Sequence, residues 1–499
     1  MIDISMLPHG LDRTKKLRES LQARAGSTET FDEAGWQTRA PRTSFTTANF
    51  WDMPDVENVY MFRAAFGPEL DALKNASPTV ESSPTRTTIG SLGKSHESPS
   101  QLLYDAEYAE VNRTIVGMLA LKWLIAGNYD SFTGQQTETV KLTQESFQEL
   151  RRLFLKGLRN EADVYALLVS TVVNDLGKDP KLLEKIAEYA PIYAHNPNHD
   201  LVAYIAAQNG LLPLIDEAKD TEYYGMLLQG LLFGSEVNIA QLAQAENVPG
   251  NLTFVKEELS GHEQTFSLKF MELILDVAGA YGHIDSRSAK PITEPVYQGY
   301  KVSRQALIDI INGKCSVREG YDEVLAFRAR LLAKEGYRSL SVEDATERAL
   351  IRLLTMGRTF TKEQAELFDE AFFGLAESWR QALVNGLTVD GFDDGVAIVP
   401  YYGPALFSET LKNTGDSSRG TKVRALSSLM RFLTRIYAGT KPTPGTKGRV
   451  VERSVAFIQD IIKGDEFRRD PSILDDVEIP AASTYRPDAR CQDRRETLP

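Results

Sequence analysis

The feature that most constrains this chain is the recurrence of apolar residues at helical spacing. From residue 102 onward, apolar side chains return every three or four positions, as Val111, Ile115 and Met118 do, and Gly or Pro interrupts the pattern between stretches. Alternation at strand spacing is almost absent, and only Gly395 to Tyr402 favours a short strand. No repeat of fixed period is visible. The pattern therefore predicts an all-α fold of many helices in an irregular arrangement.

Shifts in composition predict the domain organisation. Residues 1–101 show little helical patterning and become rich in Ser, Thr and Pro after Ala76, which predicts a poorly ordered leader arm and a flexible linker. Residues 102–466 are predicted to form one large helical domain, for which a chain of 499 residues with 42% hydrophobic residues has enough apolar material. Residues 467–499 are polar and contain proline, so they are predicted to be a frayed tail.

Composition also argues against several protein classes. No run approaches about 18 consecutive apolar residues, and residues 1–10 lack the basic and apolar regions of a secretory signal, so no membrane span or export signal is predicted. The chain has only two cysteines and no CxxC motif, which argues against a disulfide framework or a zinc–thiolate cluster and fits the reducing cytoplasm. Because the net charge is −13, a nucleic acid would have to be bound by a local basic patch.

The first polar constellation lies where an apolar helix ends, in the run Asn174-Asp175-Leu176-Gly177-Lys178. One interpretation is purely structural, because glycine suits a helix C-terminus and Gly177 would end the helix. The other interpretation is a polar substrate pocket in which Asp175 is catalytic and Lys178 binds substrate. The sequence leaves both interpretations open.

A second polar segment, His195 to Asp200, follows about 20 residues later. Pro197 lies between His195 and His199, so the two histidines cannot share one continuous helix. The structural interpretation makes them loop and first-turn residues. The functional interpretation places His199 and Asp200 beside Asp175 as substrate-binding groups, because polar residues at the ends of neighbouring apolar helices can line one pocket.

The third constellation is acidic, with carboxylates at Glu343, Asp344 and Glu347 shortly after Ser341. Ser341 followed by Asp344 predicts a capped helix start, and acids in a first turn suit the helix dipole. Alternatively, Glu343 and Glu347 share a helix face, where a carboxylate pair could hold a guanidinium or act as general acid–base groups.

The fourth constellation is a basic segment over residues 417–449, which contains no Asp or Glu. Arg424, Arg431 and Arg435 fall on nearly one side of a predicted helix, and a Gly/Thr/Pro-rich loop follows over residues 439–449. Such a surface can bind the phosphates of an RNA backbone, and a solvated helix face is the alternative. The motifs GxxxxGK[ST] and GxGxxG are absent, so no nucleotide cofactor is predicted.

A local resemblance concerns the run that begins at Asn174. It resembles the His-Asp-Leu-Gly-Lys run of HD-domain metal enzymes, which include phosphohydrolases and a di-iron oxygenase. Asp175 matches the family's aspartate, and the resemblance implies a metal-dependent enzyme with His195, His199 and Asp200 as further ligands. Asn174 stands where the family has its histidine, and an amide is a poor transition-metal ligand beside imidazole. No bound metal is therefore predicted.

The body of the chain, over residues 100–465, resembles the fungal arginine-containing cyclodipeptide synthases. The shared features are a cytosolic helical chain of this size, the run Val173 to Asp179, and an acidic motif where the family is associated with DDxxE. Asp344 and Glu347 match that motif, and Glu343 departs from it by one methylene. The resemblance implies that two aminoacyl groups delivered by charged tRNAs, one of them arginyl, are joined into a diketopiperazine.

The resemblance also implies roles for the polar constellations. Glu343, Asp344 and Glu347 would bind the arginyl guanidinium or move the amine proton, and the basic segment would hold the tRNA backbone. Because an aminoacyl-tRNA arrives as an activated ester, no cofactor is implied. A third class of function stays open, a non-catalytic helical scaffold in which the polar clusters are only helix caps.

Overall fold

The computed structural model of the chain describes residue 45 and residues 48–76, 97–189, 198–438 and 446–480. Within these ranges helices make up nearly all of the secondary structure, and the prediction of an all-α, multi-helix fold is confirmed. The predicted tail beyond residue 480 and much of the predicted leader lie outside the described residues. None of the described helices is both long and apolar enough to cross a bilayer.

The elements are named in chain order. Short 3-10 helices lie at Glu138–Val140, Leu176–Lys178, Pro249–Leu252, Ala456–Ile458 and Pro471–Asp476. The α-helices and strands are α1 (Ala48–Asp52), α2 (Asp55–Ala65), α3 (Gly67–Leu73), α4 (Pro99–Tyr104), α5 (Ala109–Ala126), α6 (Tyr129–Thr133), α7 (Gln144–Gly157), α8 (Glu161–Val173), α9 (Pro180–Tyr189), α10 (His199–Gln208), α11 (Pro213–Asp216), α12 (Tyr223–Glu236), α13 (Ile239–Ala243), α14 (Thr253–Leu259), α15 (Glu263–Gly279), α16 (Glu294–Ile311), α17 (Val317–Lys334), α18 (Ala345–Met356), α19 (Lys362–Phe373), α20 (Glu377–Thr388), β1 (Asp394–Tyr401), α21 (Gly403–Asn413), α22 (Arg419–Ile436), β2 (Thr446–Ser454), α23 (Gln459–Lys463) and α24 (Asp465–Arg469).

The chain divides into two compact units. The first comprises residues 1–235 and 262–298, and the second comprises residues 236–261 and 299–499. The first unit thus contains the helices up to α12 together with α15, and the second contains α13, α14 and the elements from α17 onward. The single domain predicted for residues 102–466 takes in parts of both units, and its limits stay a prediction.

Residues 48–73 belong to the packed fold of the first unit, in contrast to the prediction of a leader reaching residue 101. They form α1 to α3, and the rings of Phe45 and Phe66 pack against Tyr165 of α8, with centroids 6.1 and 5.9 Å apart. The rings of this cluster are Phe45, Phe50, Phe62, Phe66 and Tyr165. Aromatic pairs at such distances add to the apolar burial itself, so the stretch is tied to the core.

Helices α5 and α15 pack closely within the first unit because glycines line their contact. A Cβ on Gly279 would lie 2.0 Å from the carbonyl oxygen of Arg113, and a Cβ on Gly117 would lie 2.7 Å from that of Leu275. Only a hydrogen atom fits at either position, so the two backbones touch. The contact sets the glycine-bearing face of α5 directly opposite that of α15. Charged residues on these two faces are therefore also opposite each other.

The second unit contains the described strands. Strand β1 confirms the strand predicted over residues 395–402, and β2 pairs with it in parallel, with Val451 opposite Ile398. Residues 446–449 were predicted to be loop but form the start of β2, because the apolar residues that follow can pair with β1. The rest of that predicted loop, residues 439–445, lies outside the described part of the chain.

Helices of the second unit enclose an apolar core of their own. Buried side chains of α18, α19, α21 and α22 meet there, with Phe368 and Phe407 in contact at a centroid separation of 5.3 Å. Apolar residues recur along these helices at helical spacing, and that pattern is the one from which the helices were predicted.

Replacing Gly279 by Ala is expected to destabilise the protein, because the added methyl group would overlap the Arg113 carbonyl and force α5 away from α15. Overpacking of this kind costs about 1–3 kcal/mol. The control is Gly230→Ala in α12, where nothing lies within 4 Å of the new Cβ. That change should stabilise by about 0.5–1 kcal/mol, because Ala is the better helix former. Chemical denaturation measures both variants, and equal stability would contradict the close contact.

Candidate functional site

The candidate site begins at the tight turn that follows α8. The turn is the 3-10 helix Leu176–Lys178, closed by backbone hydrogen bonds of 3.1 and 3.0 Å. A Cβ on Gly177 would lie only 1.9 Å from the His199 carbonyl oxygen. Glycine is therefore required here by the close approach of α10, which differs from the helix-ending role predicted for it.

Helix α10 brings His199 and Asp200 to this turn. The side-chain oxygen of Asn198 accepts hydrogen bonds from the N–H groups of Asp200 and Leu201, at 3.1 and 3.3 Å, and so caps the first turn. A helix starting at His199 was the structural interpretation of this segment. His195, the other histidine of the segment, lies outside the described residues.

A buried network of ion pairs surrounds Asp175. The Lys178 ammonium lies 2.6 Å from Asp175 Oδ1 and 3.0 Å from Glu110 Oε2, which links the turn to α5. The Arg113 guanidinium lies 3.0 Å from the other oxygen of Glu110 and 3.8 Å from Asp276 Oδ1 on α15. Both oxygens of the fully buried Glu110 therefore face cations.

A second buried pair lies beside this network. The Lys269 ammonium is 2.5 Å from Glu272 Oε2 and 3.0 Å from the side-chain oxygen of Asn174. Asn174, which stands where HD-domain enzymes have a histidine, thus presents its oxygen to a cation. Ammonium groups next to Asn174 and Asp175 oppose a metal ion at these positions by charge repulsion. Among the described residues, no group of three or more His, Cys, Asp or Glu side chains is placed to hold a metal ion.

The cluster reaches solvent at three side chains. His199, Asp276 and Asp200 keep 28%, 30% and 17% of their side-chain surface exposed, whereas Asp175 and Lys178 keep 6% each. His199 Nε2 lies 3.8 Å from Asp175 Oδ1 and 3.9 Å from Asp200 Oδ2. These separations are beyond hydrogen-bonding distance, so the imidazole lies near both carboxylates and interacts with them through charge rather than through a hydrogen bond.

Burial and neighbouring charges shift the pKa values of the two central carboxyl groups, Glu110 and Asp175, in opposite directions. Burial, together with the negative charge of Asp175, raises the pKa of Glu110 to about 7 against the attraction of Lys178 and Arg113. Burial acts in the same direction on Asp175, but Lys178, Arg113 and His199 outweigh it and hold the pKa of that carboxyl well below its usual range. Asp175 is therefore the ionised partner, and Glu110 exchanges its proton near neutral pH.

This arrangement is suited to moving a proton at the solvent-exposed edge of the cluster. An imidazole beside a buried, ionised carboxylate can take a proton from a substrate and hold it as an imidazolium that the carboxylate stabilises. Lys178 and Glu110 keep Asp175 in place. The partly exposed carboxylates of Asp200 and Asp276 can bind a cationic group of a substrate.

The structure brings together Asp175, Lys178, His199 and Asp200, which the sequence singled out, and their chemical roles stay predictions. Sequence reasoning missed the partners that α5 and α15 contribute. A usable signal was present, because charged residues three or four positions apart within otherwise apolar helices point to buried pairs. The missed residues are Glu110, Arg113, Lys269, Glu272 and Asp276.

The acidic motif of the second unit forms a helix cap. Asp344 is the N-cap of α18 and accepts a hydrogen bond from the Glu347 N–H at 2.9 Å, so Asp344 rather than the predicted Ser341 holds this position. Glu347 accepts from the Ser341 N–H at 2.7 Å and pairs with Arg338 at 2.8 Å. Glu343 is exposed. Local partners thus account for Asp344 and Glu347, and a catalytic role for the motif stays a prediction.

Two of the three predicted phosphate-binding arginines hold the chain's own C-terminal segment. Arg431 pairs with both oxygens of Asp475, at 2.9 and 2.7 Å, across 44 positions of sequence. Arg435 donates to three backbone carbonyls of the same segment, those of Leu474 and Asp475 at 3.0 and 2.7 Å and that of Val477. Arg424 is exposed and donates to nearby Thr421 at 3.1 Å. Arg424 is therefore the most available of the three for a phosphate.

Glu272→Gln is expected to change how stability depends on pH. Burial raises the pKa of Glu272 to about 8, so the folded protein holds this proton more tightly than the unfolded chain does. The stability that the proton contributes is complete below the ordinary value of 4.5 and is lost as the pH rises through about 8. Because the amide imitates the protonated carboxyl, the variant's thermal midpoint should match the parent's near pH 4.5 and exceed it above about pH 8.

The control for this variant is Glu263→Gln, an exposed acid at the start of the same helix, which should leave the pH profile unchanged. A Glu272→Gln midpoint below the parent's in alkaline buffer would mean that the ionised carboxylate stabilises Lys269. That outcome would contradict the expected sign.

Sequence comparison places the whole site within one family. Residues 59–474 match the model of the family of unknown function DUF6829. No curated protein and no solved structure gave a match. The matched range covers most of the chain and includes every residue of the buried cluster. The chain therefore belongs to the DUF6829 family, a family of unknown function.

Proposed function

We propose that the protein is a tRNA-dependent cyclodipeptide synthase that joins an arginyl group and a second aminoacyl group into a diketopiperazine. The observation that carries the proposal is an accessible histidine, His199, beside a buried and ionised carboxylate, Asp175. Making amides from activated esters requires an amine to lose a proton as it attacks. A histidine–carboxylate pair at the exposed edge of a buried cluster supplies that step.

The reaction consists of two steps of the same kind. In the first, the α-amine of one aminoacyl ester attacks the ester carbon of the other, so a C–N bond forms and the C–O bond to one tRNA breaks. The amine loses one proton and the departing ribose oxygen gains one. In the second, the free amine of the dipeptidyl ester attacks its own ester carbon, closes the ring and releases the second tRNA. The esters supply the activation, which fits the absence of a nucleotide-binding GxxxxGK[ST] motif.

Residues of the cluster fit the roles that this chemistry needs. His199 takes the amine proton and returns it to the ribose oxygen. Asp175 stabilises the imidazolium, and Lys178, at 2.6 Å, fixes Asp175. Asp200 and Asp276 hold a guanidinium or ammonium group of a substrate. Holding two aminoacyl groups together is itself worth up to about 7–11 kcal/mol, because it makes the attack intramolecular.

Charged tRNA would be held through its phosphates rather than its base sequence. Arg424 is available on α22, within a segment that contains no acidic residue between positions 417 and 449. Because the chain as a whole carries a net charge of −13, such contacts have to be local. Binding of tRNA should therefore weaken as salt is added, since phosphate contacts release bound counterions.

Expression of the chain alone, in a bacterial host that supplies its own charged tRNAs, is expected to yield an arginine-containing diketopiperazine. His199→Gln should lower the yield by about 10²–10⁴-fold, the usual contribution of a general base. Its thermal midpoint should stay near the parent's, because the side chain is partly exposed. Mass spectrometry of the culture extract measures the yield.

Glu263→Gln, an exposed change on α15, is the activity control and should retain the parent's yield. Two outcomes would count against the proposal: soluble protein without any new diketopiperazine, or full yield from His199→Gln. The first outcome would favour the scaffold interpretation, and the second would remove His199 from the chemistry.

The double variant Asp344→Asn, Glu347→Gln is expected to keep its product yield. These side chains already bind the α18 backbone, Ser341 and Arg338, so their charge stabilises a helix start. Loss of that charge should cost only about 0.3–1 kcal/mol through the helix dipole. Yield and thermal midpoint are measured together. A yield reduced by about 10²-fold or more in a folded double variant would give the motif the acid–base role that the family resemblance implies.

A further inference from the structure

Three arginines are buried among the described residues of the second unit, and they are satisfied to different degrees. Arg348 keeps 2% of its surface exposed and pairs with two aspartates, at 2.8 and 3.2 Å. Arg352 keeps 1% and donates to four backbone carbonyls, at 2.8 to 3.3 Å. Arg328 keeps 5% and donates only to the Thr359 carbonyl, at 2.6 Å. Arg328 is thus the least satisfied of the three.

The guanidinium of Arg328 has donors that the described protein does not use. Its carbon lies 4.4 Å from the centroid of the Phe360 ring, and its Nε is buried without a hydrogen-bond partner. Within the described ranges, no carboxylate pairs with it. Burying a cation with unmet donors is costly, and arginine keeps its proton at ordinary pH. Nε and Nη2 form the edge through which a guanidinium binds an oxyanion in bidentate fashion.

A second arginine, Arg358, directly precedes Thr359, whose carbonyl accepts the hydrogen bond from Arg328. Arg358 is exposed, and its side chain donates only to the Gln244 side-chain oxygen, at 3.1 and 2.6 Å. Its backbone is left-handed, with φ of 48°, a conformation that few residues other than glycine adopt and that often accompanies a functional position. Burial, reinforced by the charge of Arg358, lowers the pKa of Arg328 to about 10. The two cations therefore repel each other, and no described carboxylate neutralises either one.

We propose that Arg328 and Arg358 form a binding site for a phosphate group. An oxyanion at the free edge of Arg328 satisfies Nε, neutralises the buried charge and accepts hydrogen bonds from the exposed Arg358. Two guanidinium groups match the double charge of a phosphate better than the single charge of a carboxylate. The site does not depend on the activity proposed for the first unit, because it lies wholly in the second.

Thermal midpoints in sodium phosphate and in sodium chloride of equal ionic strength test the site. The parent's midpoint should rise with phosphate concentration, as for any ligand that only the folded state binds. Arg328→Gln and Arg358→Gln should each weaken the affinity for phosphate by about 10-fold or more, because each removes a charged donor. Arg358→Gln keeps the test valid if Arg328→Gln fails to fold, since Arg358 is exposed.

Arg330→Gln is the matched control, since Arg330 lies on the same helix, is exposed and pairs with Glu323 at 2.5 Å. It should keep the parent's response. A short RNA oligonucleotide in place of phosphate shows where the bound phosphate comes from. Stabilisation by the RNA that is lost in Arg358→Gln supports a nucleic-acid backbone phosphate. Stabilisation by inorganic phosphate but not by RNA supports a small phosphorylated ligand. Equal midpoints of the parent in phosphate, RNA and chloride, or full response in both arginine variants, would overturn the proposal.

Discussion

The contact between α5 and α15 is the constraint on which the candidate site depends. Gly117 and Gly279 let the two backbones touch. Glu110 and Arg113 precede Gly117 by two turns and one turn, so they share its helix face, and Asp276 shares the face of Gly279 in the same way. The 3.8 Å separation of Arg113 from Asp276 exists because no side chain stands between the helices at the glycines. Backbone packing therefore sets the electrostatics of the site.

A cluster of this kind is a poor way to gain stability. Removing each ion from water costs several kcal/mol, and replacing a buried pair by apolar residues is often neutral or stabilising. Function accounts for the cluster better, for two reasons. It reaches solvent at His199. It also gives its two carboxyl groups different pKa values, so that Asp175 is ionised while Glu110 titrates near neutral pH. Perturbed carboxyl groups beside an accessible histidine are typical of sites that transfer protons.

In the second unit some charged side chains stabilise the fold, whereas others keep hydrogen-bond donors that a ligand could use. Asp344 caps a helix, and Arg431 holds the segment that contains Asp475. Both side chains already have partners within the chain, so their patterns in the sequence need no ligand to explain them. Arg328 differs, because it is as buried as a structural arginine but has a single carbonyl for a partner. Arg328 differs from these structural residues in how few hydrogen-bond acceptors surround it. The exposed fraction of a side chain does not show this difference.

Local spacing in the sequence determined the all-α class, the position of β1 and the start of α10, because periodicity and capping involve neighbouring residues only. It also singled out Asp175 and Lys178, which lie in one turn. Only the tertiary structure decided that Lys178 meets Glu110, 68 positions away, and that Arg431 binds Asp475, 44 positions away. A sequence pattern shows that a helix has a face to bury, but which helix covers it depends on backbone approach, here on where glycine leaves room.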